Sequence, residues 1–360
     1  MRKSKSLVWY TSLFLIMTLL ISITGCSPED SAEGELGGGD ERIDLNLNLA
    51  HFFPATHPAE TELVQGWARE VEEVTDGQIR VTSYPGETLL GGAEIYDGVV
   101  SGMADIGISA FAYTRGRFPL LEAFELPVIV YNNSKVASKV AWEGIKELDP
   151  QEVQDTELMM VLATGPGDLL TKEPVRTLDD LQGMEIRATG LSAKTLEVLG
   201  ATPEAMPQSD TYESLSRGRV EGNLSPLEVL QGWRHAEVTD YITFTPFLYN
   251  TLFFVTMNQE TWNSIPPHLQ EKVLEVNERH FEEVAMGLWD MQNEEALDFA
   301  VEETGQEEIT LSEEEQERWK EAAEPVLDDF VKDVEERGLP GEDTLQMVKR
   351  LSEKYNEIYK

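Results

Sequence analysis

The spacing of apolar and polar residues predicts strands and helices that alternate along the chain. Leu45, Leu47 and Leu49 alternate with asparagines, which is the period-two pattern of a strand with one buried face. Apolar residues then recur every three or four positions and predict a helix from about residue 59 to 75. Further strands are predicted at 79–84, 105–109 and 158–163, and further helices at 93–101 and 134–148.

The alternation is densest between residues 181 and 226. A strand at 184–188 precedes a helix at 192–199, and a second short helix leads into 220–226. Strand and helix signals that alternate at this length are typical of βαβ units. The segment therefore predicts a largely parallel sheet and an α/β fold.

The later part of the chain predicts connections and helices. The apolar run 158–163 ends at Thr164-Gly165-Pro166-Gly167, where we expect a first crossing between two lobes, and 253–258 is expected to return. From Ser264 to about Glu303, apolar residues step at three or four positions, which predicts one long helix bracing both lobes. The tail from 311 to 359 is helical in pattern, acidic and without a recognisable motif.

Arg187 is the first candidate for binding chemistry. It lies where the strand at 184–188 ends, and open α/β sheets bind ligands beyond the carboxyl ends of their strands. A guanidinium offers a rigid fork of donors that matches a carboxylate. From position alone, a surface arginine in a salt bridge explains this residue equally well.

The run LQGMEIRATG, followed by KTLEVLGATPEAMPQSDTYESLSRGRVEGNLSP, resembles the solute-binding proteins of tripartite ATP-independent periplasmic (TRAP) transporters. With the chain around it, the resemblance covers roughly residues 43 to 300. It implies an α/β, two-lobe periplasmic-binding-protein-like fold (type II, TRAP subclass) with a long helix bracing both lobes. The expected organisation is lobe I with its back helix at 43–164 and 252–303, lobe II at 165–251, and a C-terminal helical segment at 304–360.

The resemblance also implies a ligand site for an organic acid, with Arg187 binding the carboxylate. The first lobe follows the family pattern, and Phe53, Phe111 and Tyr113 lie just past its strand ends, although each aromatic could equally be core packing. His57, before a proline, is better explained by the start of a helix, and His280 by core packing. The remaining candidates come from the second lobe and the return crossing: Gln208, Asn223, Ser225 and Asn250.

Two positions depart from the family pattern. Some members carry a second arginine near the first crossing, where this chain has Gly167, Asp168 and Leu169. The family's first subgroup has an asparagine before the proline of its DGQENP element, where this chain has Ser225, with Asn223 two positions earlier. A single arginine favours a monocarboxylate, such as a hydroxy acid, a keto acid or an aromatic acid, over a dicarboxylate.

The N-terminus predicts secretion. Three basic residues precede the apolar stretch Leu7–Ile23, a pattern typical of a signal peptide, although the stretch nears the length of a membrane-spanning anchor. Ile23-Thr24-Gly25-Cys26 resembles the bacterial lipobox, which favours a lipoprotein signal peptide at 1–25 with Cys26 lipidated. Residues 26–42 would then be a flexible acidic tether.

Composition restricts the partners. Removing residues 1–25 leaves 25 basic and 67 acidic residues, so nucleic acid is excluded as a partner. Cys26 is the only cysteine, which excludes disulfides, and no catalytic or nucleotide-binding motif is present. We therefore expect no enzyme activity, no cofactor and no metal. We expect a monomer whose partners are an organic acid, the TRAP permease and, through the lipid, the outer face of a membrane. The alternative function is that of a ligand-binding protein that reports to a sensor kinase.

Overall fold

Two β-sheets, each covered by helices, organise residues 42–360, the part of the chain that this computed structural model describes. The α/β, two-lobe fold expected from the sequence is confirmed. The predicted signal peptide, Cys26 and the tether up to residue 41 lie outside the described residues. We call the part built on the five-stranded sheet lobe 1 and the part built on the six-stranded sheet lobe 2.

Lobe 1 has the strand order β2-β1-β3-β10-β4, in which β10 runs antiparallel to both neighbours. The strands at 106–110 and 252–258 are buried along their whole length, as expected for strands covered on both faces, whereas the edge strand at 79–84 is partly exposed. The strands are β1 (Leu45–His51), β2 (Ile79–Tyr84), β3 (Ile106–Ala110), β4 (Thr156–Ala163) and β10 (Leu252–Asn258). The covering helices are α1 (Gln65–Val74, preceded by a π-helical turn at Ala59–Val64), α2 (Ile95–Val100), α3 (Ser134–Leu148) and α7 (Gln259–Ser264).

Lobe 2 has the strand order β11-β9-β5-β8-β6-β7. The predicted βαβ segment is present as β6, α4, β7, α5 and β8, with β6 parallel to both β7 and β8. The sheet as a whole is mixed, because β5 runs antiparallel to β8 and β9. The elements are β5 (Asp168–Thr171), β6 (Glu185–Ala188), α4 (Gly190–Val198), β7 (Thr202–Ala205), α5 (Gln208–Ser216), β8 (Gly222–Ser225), α6 (Val229–Gly232), β9 (Tyr241–Phe244) and β11 (Glu307–Thr310).

The two crossings between the lobes lie side by side. The Thr164 N–H donates to the Thr251 carbonyl (3.1 Å) and the Gly167 N–H donates to the Tyr249 carbonyl (2.5 Å). The Thr251 N–H donates in turn to Thr164 Oγ1 (3.0 Å). The return crossing is therefore residues 245–251, and the run at 253–258 that sequence suggested for it is already β10 inside lobe 1.

The single long helix predicted from Ser264 to Glu303 was wrong, because the chain breaks into α8 (Pro267–Glu283) and α9 (Leu288–Asp298). The break begins at Val284, whose φ of −123° and ψ of −60° leave the helical region. The freed carbonyl of Met286 accepts a hydrogen bond from Ser134 Oγ (3.1 Å) at the start of α3. The turn lets α8 pack on lobe 1 while α9 packs on α6 of lobe 2.

The C-terminal segment is helical, as predicted, but it also contributes a strand that was missed. The polar sequence Glu307–Thr310 forms β11, which pairs in parallel with β9 at the edge of lobe 2. The helices are α10 (Glu313–Ala323), α11 (Pro325–Glu335) and α12 (Gly341–Ile358). Trp319 of α10 joins the core of lobe 2, while Phe330 of α11 and Val348 of α12 join the core of lobe 1.

Candidate functional site

A pocket lies where the carboxyl ends of β6 and β8 in lobe 2 face the segments that follow β1 and β3 in lobe 1. It holds about 330 Å³ of empty volume, including its open mouth. Both lobes and both crossings contribute to its wall, so the pocket depends on how the lobes meet. The lining residues are Phe52, Phe53, Tyr113, Thr164, Arg187, Thr189, Gln208, Ser225, Pro226, Glu228, Val229, Trp233, Tyr249, Thr251 and Phe253.

Arg187, near the end of β6, carries the positive charge of the pocket. Its side chain is only 3% exposed, and its Nε donates to the Met206 carbonyl (3.0 Å). Nη1 lies 3.4 Å from Asn223 Oδ1 and 3.2 Å from Ser225 Oγ. No carboxylate within residues 42–360 forms a salt bridge with this guanidinium. A buried charge without a counter-ion is costly, so this arrangement can accept an anion that enters from outside.

A buried histidine supports the polar groups around Arg187. His235 Nε2 lies 3.1 Å from the Gln208 amide and its Nδ1 lies 3.2 Å from Asn223 Nδ2. Burial, and secondarily the Arg187 charge, lowers the pKa of His235 to about 3. The imidazole is therefore neutral, which leaves Arg187 as the only cation among the residues that line the pocket.

A neutral imidazole donates from one nitrogen and accepts at the other, so the two amides beside His235 must present opposite atoms. Arg187 fixes the oxygen of Asn223 toward its guanidinium, so the Asn223 NH2 group donates to Nδ1. Gln208 must then present its oxygen to the Nε2 hydrogen, which requires its amide group to be turned by about 180°. Its NH2 group then donates to Ser225 Oγ, which lies 3.3 Å from the other atom of the amide. This network fixes how the Asn223 and Gln208 amides are oriented beside the Arg187 guanidinium.

Hydroxyl groups line the pocket at the crossings and at the contact between lobes. Tyr113 Oη accepts a hydrogen bond from the Gln208 N–H (3.0 Å) and so joins lobe 1 to lobe 2. Burial raises the pKa of Tyr113, although Arg187 opposes the shift, so its hydroxyl keeps a hydrogen that it can donate to a ligand. Tyr249 Oη lies 3.0 Å from Thr189 Oγ1 and 2.9 Å from Thr251 Oγ1.

Aromatic rings form the remaining walls. The Phe52 ring centroid lies 5.3 Å from that of Tyr113, 5.9 Å from that of Trp233 and 4.2 Å from that of Phe53. Phe253 of β10 lies 5.5 Å from Phe53. These rings contact one another and together give the pocket an aromatic, largely apolar wall.

The structure brings together most of the side chains named from sequence. Phe53, Tyr113, Arg187, Gln208 and Ser225 line the pocket, and Asn223 supports Arg187 from behind. Two candidates lie elsewhere.

Phe111 points away from this pocket. Its ring packs edge-on against Phe118 (4.8 Å) and Phe254 (5.1 Å) in the core of lobe 1, and it borders a neighbouring cavity. Asn250 is buried but absent from the wall, whereas Tyr249 and Thr251 on either side of it line the pocket.

His57 and His280, for which the sequence favoured structural roles, both form hydrogen bonds that fit those roles. His57 Nδ1 accepts from the Ala59 N–H (3.0 Å) at the start of the helical turn that follows, as expected. His280 is 1% exposed, and its Nε2 lies 2.9 Å from the Leu63 carbonyl, which fits core packing.

Position 167 explains why a second arginine has no place at the first crossing. A Cβ on Gly167 would lie 3.1 Å from the Tyr249 ring, so Tyr249 occupies the space that a longer side chain would need. Asp168 turns away and accepts a hydrogen bond from the Thr245 N–H (2.7 Å). Burial raises the pKa of Asp168 to about 7.

Several lining residues had no signal in the sequence. Thr189 lies in the run that carries the family resemblance but was not named as a site residue. Tyr249, Thr251 and Trp233 belong to no motif, and only their position at strand ends and crossings could have suggested them. Within residues 42–360, no cluster of three or more metal-binding side chains is present, and no helix is long and apolar enough to span a membrane.

Comparison with known proteins identifies the family that this chain matches. Residues 49–333 match the family described as "Bacterial extracellular solute-binding protein, family 7". A TRAP periplasmic solute-binding protein from Desulfovibrio salexigens is 35% identical, with a TM-score of 0.75 over 87% of this chain and 97% of that chain.

Two further solved structures are similar. A TRAP solute-binding protein from an unidentified microbe of a marine metagenome, described as specific for aromatic acids, is 30% identical in its complex with metahydroxyphenylacetate (TM-score 0.82, 87% of this chain and 99% of that chain). A TRAP solute-binding protein from Rhodoferax ferrireducens with copurified benzoate is 26% identical (TM-score 0.82, 88% and 99%). With a family match across most of its length and the same two-lobe fold, this chain belongs to the family 7 extracellular solute-binding proteins of TRAP transporters.

Proposed function

We propose that this protein captures an aromatic monocarboxylate outside the cytoplasm and delivers it to a TRAP membrane permease. The observation that carries the proposal is the buried Arg187 guanidinium, which faces an aromatic-walled pocket and has no carboxylate partner among the described residues. The ligand carboxylate would be that partner, held by two parallel charge-assisted hydrogen bonds.

Three observations favour a planar monocarboxylate over other organic acids. The pocket wall carries one cation, most of its apolar lining residues are aromatic, and Tyr249 lies where a side chain at position 167 would extend. Similar proteins contain benzoate and metahydroxyphenylacetate. A second carboxylate would enter this wall without a cation to neutralise it.

Binding is proposed to close the two lobes by rotation at the paired crossings. Tyr113 of lobe 1 and Gln208 of lobe 2 are hydrogen-bonded beside Arg187, so closure completes the site. No constellation of nucleophile and base accompanies Arg187, so the proposed role is capture and transfer without chemistry. No specific observation favours a sensor kinase as the partner.

Isothermal titration calorimetry with matched acids tests the ligand class. We expect benzoate or a monohydroxylated benzoate to bind at least about tenfold more tightly than phthalate, succinate or malate, since a second carboxylate would be buried without a partner. The protein should be unfolded and refolded first, so that copurified ligand is removed. Tighter binding of any dicarboxylate than of every aromatic monocarboxylate would contradict the proposal.

The lipid anchor remains a proposal carried by the sequence around Cys26. We expect Cys26→Ser protein to stay unprocessed and to lose labelling by a fatty-acid analogue, because the thiol is the acceptor of the lipid. Labelling and mass spectrometry of the mature N-terminus measure this, with Ser27→Ala as the control. Normal processing and labelling of the Cys26→Ser protein would show that the anchor is elsewhere.

A further inference from the structure

Glu228 places a carboxyl group in the pocket that the capture of a simple acid does not require. It directly precedes α6, its side chain is 5% exposed, and it lines the same wall as Trp233 and Phe53. Its backbone N–H donates to Asn293 Oδ1 (2.9 Å) on α9, so the position of the residue is fixed from behind.

The hydrogen atoms around Glu228 can be assigned from its partner in lobe 1. His57 Nδ1 accepts from the Ala59 N–H (3.0 Å), so the ring hydrogen of a neutral His57 is on Nε2. Nε2 lies 3.1 Å from Glu228 Oε2, and this oxygen is therefore an acceptor. Glu228 Oε1 has no hydrogen-bond partner within residues 42–360, although the side chain is more than nine-tenths buried.

Aromatic rings link the surroundings of Arg187 to those of Glu228 along the pocket wall. Tyr113 contacts Gln208 beside Arg187, and its ring lies 5.3 Å from Phe52. Phe52 lies 5.9 Å from Trp233, and Trp233 lies 6.2 Å from the His57 ring that holds Glu228. The same pocket thus offers a cation, a wall of aromatic side chains and an acceptor that no described residue uses.

We infer that Glu228 Oε1 accepts a hydrogen bond from a hydroxyl group on the ligand, so the site selects hydroxylated aromatic monocarboxylates. The inference rests on the proposed function and specifies its substrate class. An unsubstituted acid would cover this oxygen without giving it a partner, and sites built to hydrogen-bond a hydroxyl discriminate strongly against analogues that lack it. His57 positions Glu228 across the boundary between the lobes, so the recognition is made only when they are closed.

Isothermal titration calorimetry tests whether Glu228 binds a ligand hydroxyl. The ligands are benzoate, 3-hydroxybenzoate and 4-hydroxybenzoate, and the proteins are the intact mature protein and its Glu228→Gln variant. We expect at least one hydroxylated acid to bind wild type about tenfold or more tightly than benzoate, since a hydrogen bond to a charged group is being gained. Glu228→Gln keeps the shape and an oxygen for His57 but removes the charge that strengthens the bond. The preference, measured as the ratio of the two affinities on the same variant, should then fall to about threefold or less. The control Glu294→Gln changes an exposed carboxyl group on α9 and should leave the preference intact.

The outcomes separate this inference from the proposed function. If wild type binds benzoate as tightly as both hydroxylated acids, or if Glu228→Gln retains the full preference, Glu228 does not read a hydroxyl, and the capture of aromatic acids still stands. If none of the three acids binds wild type while another class of acid does, both the proposed ligand class and this inference are wrong.

Discussion

Arg187→Ala is expected to weaken binding of the cognate acid by about 30-fold to several thousandfold. Truncating one member of a buried, hydrogen-bonded charge pair costs about 2–5 kcal/mol, because the other charge is left buried without a partner. Within the described chain the guanidinium bonds to the Met206 carbonyl, Asn223 and Ser225 and interacts with the Tyr113 hydroxyl, none of which is a carboxylate. Arg187 is the only cationic side chain that lines the pocket, so no other residue of the wall could take over its contact with the ligand.

The Arg187→Lys substitution separates charge from geometry. Lysine keeps the cation but cannot present two parallel donors or reach the Met206 carbonyl in the same way, so we expect an affinity between those of wild type and Arg187→Ala. Isothermal titration calorimetry of all three proteins measures this order. Arg217→Ala removes an arginine that is exposed on α5 and pairs with Glu213, and it should bind like wild type.

The melting temperature of the free protein distinguishes a binding arginine from a structural one. Arg187→Ala loses three hydrogen bonds but also removes a buried charge without a counter-ion, so these terms oppose each other. We expect unfolding of the ligand-free variant to change little compared with its loss of binding. Binding within about threefold of wild type, together with normal melting, would make Arg187 a structural residue.

The parts of the fold that could be predicted are those set by local pattern. Residues 134–148 have a clear apolar stripe and an asparagine before them, and α3 spans the range that the pattern predicted, with Asn133 capping it. The strand at 79–84 was also placed correctly. Arg187 could be placed at a strand end because the βαβ pattern fixes which end of a parallel strand faces the ligand.

The parts that could not be predicted depend on contacts between distant segments. A helical stripe continues through Val284, and only the approach of Ser134 to Met286 shows why the helix breaks there. Phe111 follows a strand just as Tyr113 does, yet packing against Phe254 turns it into the core. His57 and Glu228 are 171 positions apart, so nothing local indicates that they meet.

Gly165→Ala is expected to destabilise the protein more than any other single glycine-to-alanine change at the crossings. Gly165 has a φ of +75°, where an alanine costs about 1–2 kcal/mol. An added Cβ would also lie 2.7 Å from Ser134 N and 3.0 Å from the Asn133 carbonyl carbon, which are backbone atoms. These atoms cannot retreat easily, because Ser134 N–H donates to Asp290 Oδ1 (2.6 Å) and Asn133 caps α3.

Gly183→Ala provides a matched control, since Gly183 has the same φ of +75° but nothing within 4 Å of the added Cβ. Both variants pay the backbone cost, and only Gly165→Ala adds the steric clash, for which overpacking of a dense interior costs about 1–3 kcal/mol more. Urea unfolding of each protein gives the two free energies of unfolding.

Because Thr164 beside Gly165 holds the Thr251 backbone at the pocket, folded Gly165→Ala protein should also bind its acid less tightly, whereas Gly183→Ala should not. Equal losses of stability in the two variants would show that the crossing yields to the added methyl group and that its close approach to α3 does not fix the lobes.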